Sequence, residues 1–561
     1  MTLDLVIRGG TVVDGTGMPR YRADVGISDG TIVSIARINE RGAEEIDAEG
    51  KVVAPGFIDG HTHFDAQVCW DPLGTSSSYH GVTSVIMGNC GFTIAPCREA
   101  EMDLALRSLE RAEDMSRAAM LAGIQWRWET FADYFAELDR LPKGINYAGY
   151  IGHSALRTYV MGERAYDGPA NDDDIAAMTR ELEAALAAGA IGFSTSRSQS
   201  HATADDRPVA SRMADWSEVC ALVSRMGELG GGVFELALEQ YPDRDSRRPF
   251  LDRLENLAVD SGCPLTFITA STTAVPDLHK DLLALFDRTA ARGGRMFGQA
   301  HAREFLSITG FEVKLPFDGL AGWKELRRLS IEDQRRALED PDRRRRLTDE
   351  ALHGPYGNAI GAEARAPQFD TMRIVDRPQG PYRTVGELAA ERGVSGVDVM
   401  IDLALDSGMA QLFAQPFANQ NMDSVLEILR HPHTVVAVSD SGAHVSQIVD
   451  SSVPTFLLSH WVRNKQAFTL EEGVRMLTLE PAQRWGLHDR GVVQQGRVAD
   501  LVVFDPDTIA PNIPHAATDL PAGAKRLIQH ATGVHATVVG GQTLLIDGEH
   551  TGALPGQVLR R

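Results

Sequence analysis

The chain has 561 residues, of which 43% are apolar and 24% charged, the balance of an ordinary folded protein able to bury one large core or two. Its formal net charge of −22 excludes a nucleic acid or an anionic membrane as the expected partner, since both need basic patches. Its five cysteines contain no CxxC pair, and neither a leader pattern nor an apolar run of about 18 residues is present, so a reducing, cytoplasmic setting is expected.

Residues 4–53 carry short β-branched runs separated by Gly-Gly, Asp-Gly and Gly-x-Gly turns, the pattern of a small β unit. The same chemistry returns in RVADLVVFDP (497–506) and VHATVVGGQTLLIDGE (534–549). Neither end could bury a core alone, so the two are expected to meet in one β-sandwich built from 1–55 and 489–561.

Between them, strand-like runs alternate with amphipathic helices, which predicts βα units around a parallel sheet. Eight candidate strands (57–63, 82–87, 145–151, 190–194, 232–238, 264–269, 295–299 and 434–438) fit an α/β fold of the (β/α)8 TIM-like barrel type over 56–488. The segment 171–189 opens on Asn and three Asp and stops at Gly189, as a helix should. The stretch 301–433 is too long for a loop. It reads as an insertion with helices over 331–347 and 385–403 and a Pro/Gly-rich piece at 354–384, placed to cap the barrel mouth. The arginine run at 343–346 lies among acidic residues and reads as a solvated helix face.

Catalysis in such barrels sits at the carboxyl ends of the strands, and polar residues collect there. PGFIDGHTHFDAQ (55–67) ends the first strand with His61 and His63, whose two-residue spacing puts both imidazoles on one face. Cys90 follows the second strand in MGNCG, between glycines that let backbone approach closely. Asp440, in VSDSGAH after the last strand, suits a carboxylate that binds metal with one oxygen and takes a proton from water with the other. His153 in YIGHSALR and His444 are candidates for substrate contact or for orienting a loop. Glu235, mid-strand in VFELAL, needs a partner if buried, and a metal would be one.

Taken in order, GFIDGHTH, GVTSVIMGNCG, GHSALR, GAIGFSTS, SDSGAH and LEPAQRWGLHDRGVVQQGRVADLVVFDP resemble the amidohydrolase superfamily, specifically its D-aminoacylase (N-acyl-D-amino-acid deacylase) branch, over nearly the whole chain. The resemblance implies a barrel flanked by a β-sandwich from both termini and a homo-oligomer. It also implies a metal group of His61, His63, Cys90 and Asp440, with Asp440 as general base. The chain departs from the branch where ligand histidines end strands 5 and 6, since FELALEQ (234–240) and TFITAST (266–272) have none, and no lysine follows strand 4 in AIGFSTSRSQ (190–199). The donors present suit one ion rather than two, Zn²⁺ first among divalent metals, with Glu235 as an added ligand. In SSVPTFLLSHWVR (451–463), where the branch grips the substrate carboxylate by an arginine, the first arginine is Arg463. The expected reaction is hydrolysis of an amide C–N bond in an N-acyl amino acid or related small molecule. A cyclic amide or imide hydrolase, and a catalytically silent binding module, stand as alternatives.

Overall fold

The computed structural model describes residues 3–356 and 365–561. Eight parallel strands run in chain order around a barrel: β1 (Phe57–Asp59), β2 (Val82–Met87), β3 (Asn146–Gly152), β4 (Gly192–Ser196), β5 (Val233–Ala237), β6 (Leu265–Thr269), β7 (Met296–Ala300) and β8 (Thr434–Val436). The ring closes where His61–Thr62, extending β1, pairs in parallel with Val438–Ser441, extending β8. Strands buried on both faces need continuous apolar or small residues, and every residue of β2 and β3 is buried. The interior is filled by Ile58, Ile86, Tyr150, Phe297 and Val435, with Trp485 among them. Gly60 has no side chain because the ring of Trp485 occupies the place a Cβ would take.

The helix foreseen at 171–189 forms over Asp172–Ala187, and Asn171 and Asp174 cap it reciprocally. The two chain ends join through Val52–Pro55, which pairs with Leu3–Val12 on one side and antiparallel with Leu501–Phe504 on the other. The result is one continuous nine-stranded mixed sheet. Leu5, Ile27, Val53, Leu501 and Val538 share its core.

Among the described residues of 301–433 there is a small sheet and a separate core. A three-stranded sheet, in the order Phe305–Gly310, Leu412–Ala418, Arg373–Val375, accompanies a core around Trp323, Phe317, Met400 and Phe413. Both long helices expected here are broken. The first divides into Ile331–Glu339 and Pro341–His353, because Pro341 has no N–H to continue the ladder and Asp340 caps the second piece through the Arg343 N–H at 2.7 Å. The second divides into Val385–Arg392 and Gly396–Asp406, ended by Gly393 at φ +66° and restarted by the Ser395 cap. Arg344, from the arginine run, is half-buried and paired with Asp398 at 3.0 Å and Asp402 at 2.7 Å, so that helix face is not wholly solvated. Part of the Pro/Gly-rich piece at 354–384 lies outside the described residues.

Candidate metal centre

His61 and His63 leave β1 on its buried face, with ring centroids 5.4 Å apart. Cys90 comes from a tight turn after β2, at φ +55° between Gly88 and Gly91, both also at positive φ. The turn is held hard: the Cys90 N–H donates to Glu235 Oε2 at 2.6 Å, the Gly91 N–H to Ser194 Oγ at 3.1 Å, and the Asn89 amide to the Thr62 and Ile86 carbonyls. Those bonds offset the cost of a left-handed non-glycine residue. Asp440 is also left-handed, at φ +57°, and its neighbour Gly442 must lack a Cβ because the His63 carbonyl stands there.

These turns gather four donor groups around His63, which shares one cluster with His61 and Cys90 and a second with Asp440. Cys90 Sγ lies 3.6 Å from His61 Nε2. Asp440 Oδ1 lies 3.2 Å from His63 Nε2 and 3.8 Å from His61 Nε2. The imidazoles and Cys90 are buried, and Asp440 keeps one side toward the barrel mouth with 21% of its side chain exposed. A fifth group, Glu113, had no signal in the sequence. It follows the helix Met102–Ala112 and places Oε2 3.7 Å from His63 Nε2. Gln299, on β7, was equally illegible; its Oε1 meets His61 Nδ1 at 2.6 Å and fixes that ring.

The pocket gathers carboxylates in a dry interior. Burial drives Glu235 up to about 8, and Asp59 and Asp65 up to about 7. Burial, with Glu235, Glu113 and Asp440 adding to it, pushes the Cys90 thiol well above its usual range. Burial and the nearby His63 bring His61 down to about 4. Burial also resists charge on His63, but Glu113, Asp440 and Asp65 outweigh it and bring that imidazole up to about 10. Asp440 is held well below the usual carboxylate range, because His63, His61 and His444 together overcome its desolvation.

The remaining candidates sort differently. Glu235 lies 3.9 Å from Nδ1 of His61, whereas Cys90 and Asp440 converge on Nε2. Beside Glu235 in register stands Thr266 of β6. His153 has no free ring nitrogen: Thr195 Oγ1 and Glu218 Oε1 each take one at 2.8 Å, and Glu218 also pairs with buried Arg157. It braces the barrel wall and is not available to substrate. Arg463 sits on a wide-turned helix, Leu457–Asn464, and donates to the Pro506 and Ile509 carbonyls at 3.2 and 2.8 Å, which ties that helix to the C-terminal segment and takes it away from the cluster. His444 does line the mouth, and its N–H donates to the Glu113 carbonyl at 2.6 Å.

A cavity of about 510 Å³ opens onto Asp440 and His444. Phe305, Ser307, Thr309, Gln415 and Phe417 of the small sheet line its outer side. The described residues contain no helix long and apolar enough to cross a membrane.

The model of the amidohydrolase family matches residues 44–545. D-aminoacylase of Alcaligenes xylosoxydans xylosoxydans is 30% identical over 100% of this chain and 98% of its own length. N-acyl-D-glutamate deacylase of the same organism is 30% identical, covering 94% of this chain and 92% of its own. Among solved structures, N-acyl-D-glutamate deacylase from Bordetella bronchiseptica, complexed with zinc and a phosphonate mimic of the tetrahedral intermediate, superposes with a TM-score of 0.67 at 26% identity over all of both chains. The motifs, the closed barrel and the full-length matches agree: this chain belongs to the amidohydrolase family.

Proposed function

We propose that the protein is a metal-dependent deacylase that hydrolyses the amide C–N bond of N-acyl amino acids. The observation that carries this reading is the clustering of His61, His63, Cys90 and Asp440, in which Cys90 and Asp440 lie 3.6 and 3.8 Å from His61 Nε2 and Asp440 lies 3.2 Å from His63 Nε2. Imidazole, thiolate and carboxylate donors are the types that zinc takes, so the donor set suits that ion. Asp440, held ionised, supplies negative charge that a divalent cation requires. The zinc-complexed deacylase relative supports the same choice of ion.

When bound, the ion supplies Lewis acidity for the acyl carbonyl and for the attacking water. Asp440, ionised and facing the cavity, accepts the proton of that water and returns it to the leaving nitrogen. Gln299 holds the His61 ring so that Nε2 faces the shared point. Glu235 acts as a positioning group for the Cys90 turn and not as a donor to the ion. The five unpaired cysteines support a cytoplasmic location, and the resemblance to the branch supports a homo-oligomer.

The test is direct. Protein purified without chelator, assayed on N-acetyl amino acids of both configurations, should release acetate and free amino acid in equal amounts, with the D series preferred as in the named relatives. Release of neither product from any member would refute the reading.

A further inference from the structure

The cavity that opens onto Asp440 and His444 is also lined by His201, an imidazole that the donor cluster does not include. It lies on the turn after β4, and that turn is fixed on several sides. The Arg197 N–H donates to the Ala237 carbonyl of β5 at 2.9 Å, the His201 N–H to the Ser198 carbonyl at 3.1 Å, and the Arg212 guanidinium to the His201 carbonyl at 2.8 Å. The His201 ring packs on Phe92, just after Cys90, with centroids 5.2 Å apart. One imidazole is thus held to the turn that carries a cluster donor and lines the same cavity as Asp440.

Its hydrogen bonds also fix which ring nitrogen carries the proton. Nδ1 lies 2.7 Å from Ser196 Oγ, and that oxygen already accepts the Ser198 N–H at 3.3 Å. Ser196 is fully buried, and among the described residues its hydroxyl proton has no other acceptor, so it goes to Nδ1. The ring proton then sits on Nε2, which has no hydrogen-bond partner among the described residues. Burial, with His63 and His444 nearby, brings this imidazole down to about 3, so it is neutral at neutral pH.

A neutral donor suits an oxygen that becomes charged only in the transition state, because the bond strengthens there and not in the bound substrate. A permanently charged carboxylate calls for a cation instead. We propose that His201 is a catalytic residue whose Nε2–H donates a hydrogen bond to the acyl oxygen of the substrate as negative charge develops on it. The proposal rests on the deacylase reading and deepens it. The water oxygen bonds to the acyl carbon while its proton passes to Asp440, and the carbonyl π pair moves onto the acyl oxygen. Collapse restores that pair as the C–N bond breaks and the nitrogen takes the proton from Asp440. His201 keeps its own proton throughout.

The experiment compares the metal-loaded parent with His201→Phe, which keeps a ring against Phe92, and His201→Gln, which keeps a donor. On the N-acetyl amino acid that the parent hydrolyses fastest, His201→Phe should lower kcat by about 10²–10³-fold. Its KM should stay within about threefold of the parent's, and its metal content should be unchanged. Calorimetric affinity for the phosphonate analogue of that substrate should fall in step with kcat, and His201→Gln should recover at least ~10-fold of both losses. Near-parental kcat in His201→Phe, a raised KM alone, or undiminished phosphonate affinity would each overturn the proposal and leave the deacylase reading intact. Nitrogen NMR of the parent with labelled histidine gives a check that needs no folded His201→Phe: His201 should appear as the Nε2–H tautomer, and the Nδ1–H tautomer would overturn the proposal. A parent that hydrolyses no N-acetyl amino acid would overturn the deacylase reading itself, and the proposal with it.

Discussion

Asp440 Oδ1 stands 3.2 Å from His63 Nε2, joining the last barrel strand to the first at the point where the ring closes. Closure of the barrel and assembly of the site are thus the same event: the pairing of His61–Thr62 with Val438–Ser441 sets both the register of the wall and the meeting of acid and imidazole.

Replacing Asp440 by Asn keeps the shape and one oxygen but removes the proton acceptor. We expect kcat to fall by about 10²–10⁴-fold, with the circular dichroism spectrum unchanged. Near-normal turnover in this variant would exclude Asp440 as the base.

Gln299→Leu removes the partner of His61 Nδ1 and frees the ring to turn. Metal affinity, read by competition with a chelator of known strength, should weaken by about 10- to 100-fold. An affinity equal to that of the parent would mean that Gln299 only fills space.

Glu235→Leu strands the buried Cys90 N–H that now donates to it at 2.6 Å. The cost should be about 1–3 kcal/mol of folding stability, measured in urea, with faster labelling of the Cys90 thiol by a maleimide as its turn loosens. Labelling at the parent rate would count against the positioning role.

The brace around His153 predicts an acid-side effect. Burial would raise the Glu218 carboxyl, but His153 and Arg157 hold it down to about 2 from the ordinary 4.5. A carboxyl depressed in the folded state stabilises fully above its unfolded value, and that stabilisation is lost as the pH falls from about 4.5 toward 2. The stability gap between the parent and Glu218→Gln should therefore be largest near neutrality and narrow across that window. At neutrality it should reach about 3–5 kcal/mol, since Arg157 is left buried without its partner charge. A gap constant with pH would assign the effect to packing alone.

Much of this site is legible in the sequence because strand periodicity and glycine turns are local signals. His61 and His63 share a face by their two-residue spacing, and Cys90 and Asp440 stand in glycine-flanked turns at strand ends. Glu113, Gln299 and Glu218 act only through partners far along the chain, so no local pattern marks them. His153 shows the opposite case, a polar residue at a strand end whose ring is consumed by a helix beyond the next strand, Trp216–Glu228. Arg463 is misleading for a similar reason, since its helix turns it toward backbone carbonyls of the terminal segment. The helix breaks at Asp340–Pro341 and Gly393, by contrast, lie in residue types that stop helices, and apolar periodicity across them masks the stop.

The most direct test of the shared metal point is X-ray absorption at the zinc edge of protein loaded with one equivalent of Zn²⁺. The account predicts a first shell of nitrogen and oxygen with a single sulfur at about 2.3 Å, the sulfur being lost in Cys90→Ser. A shell without sulfur in the parent protein, or no retained zinc at all, would contradict it.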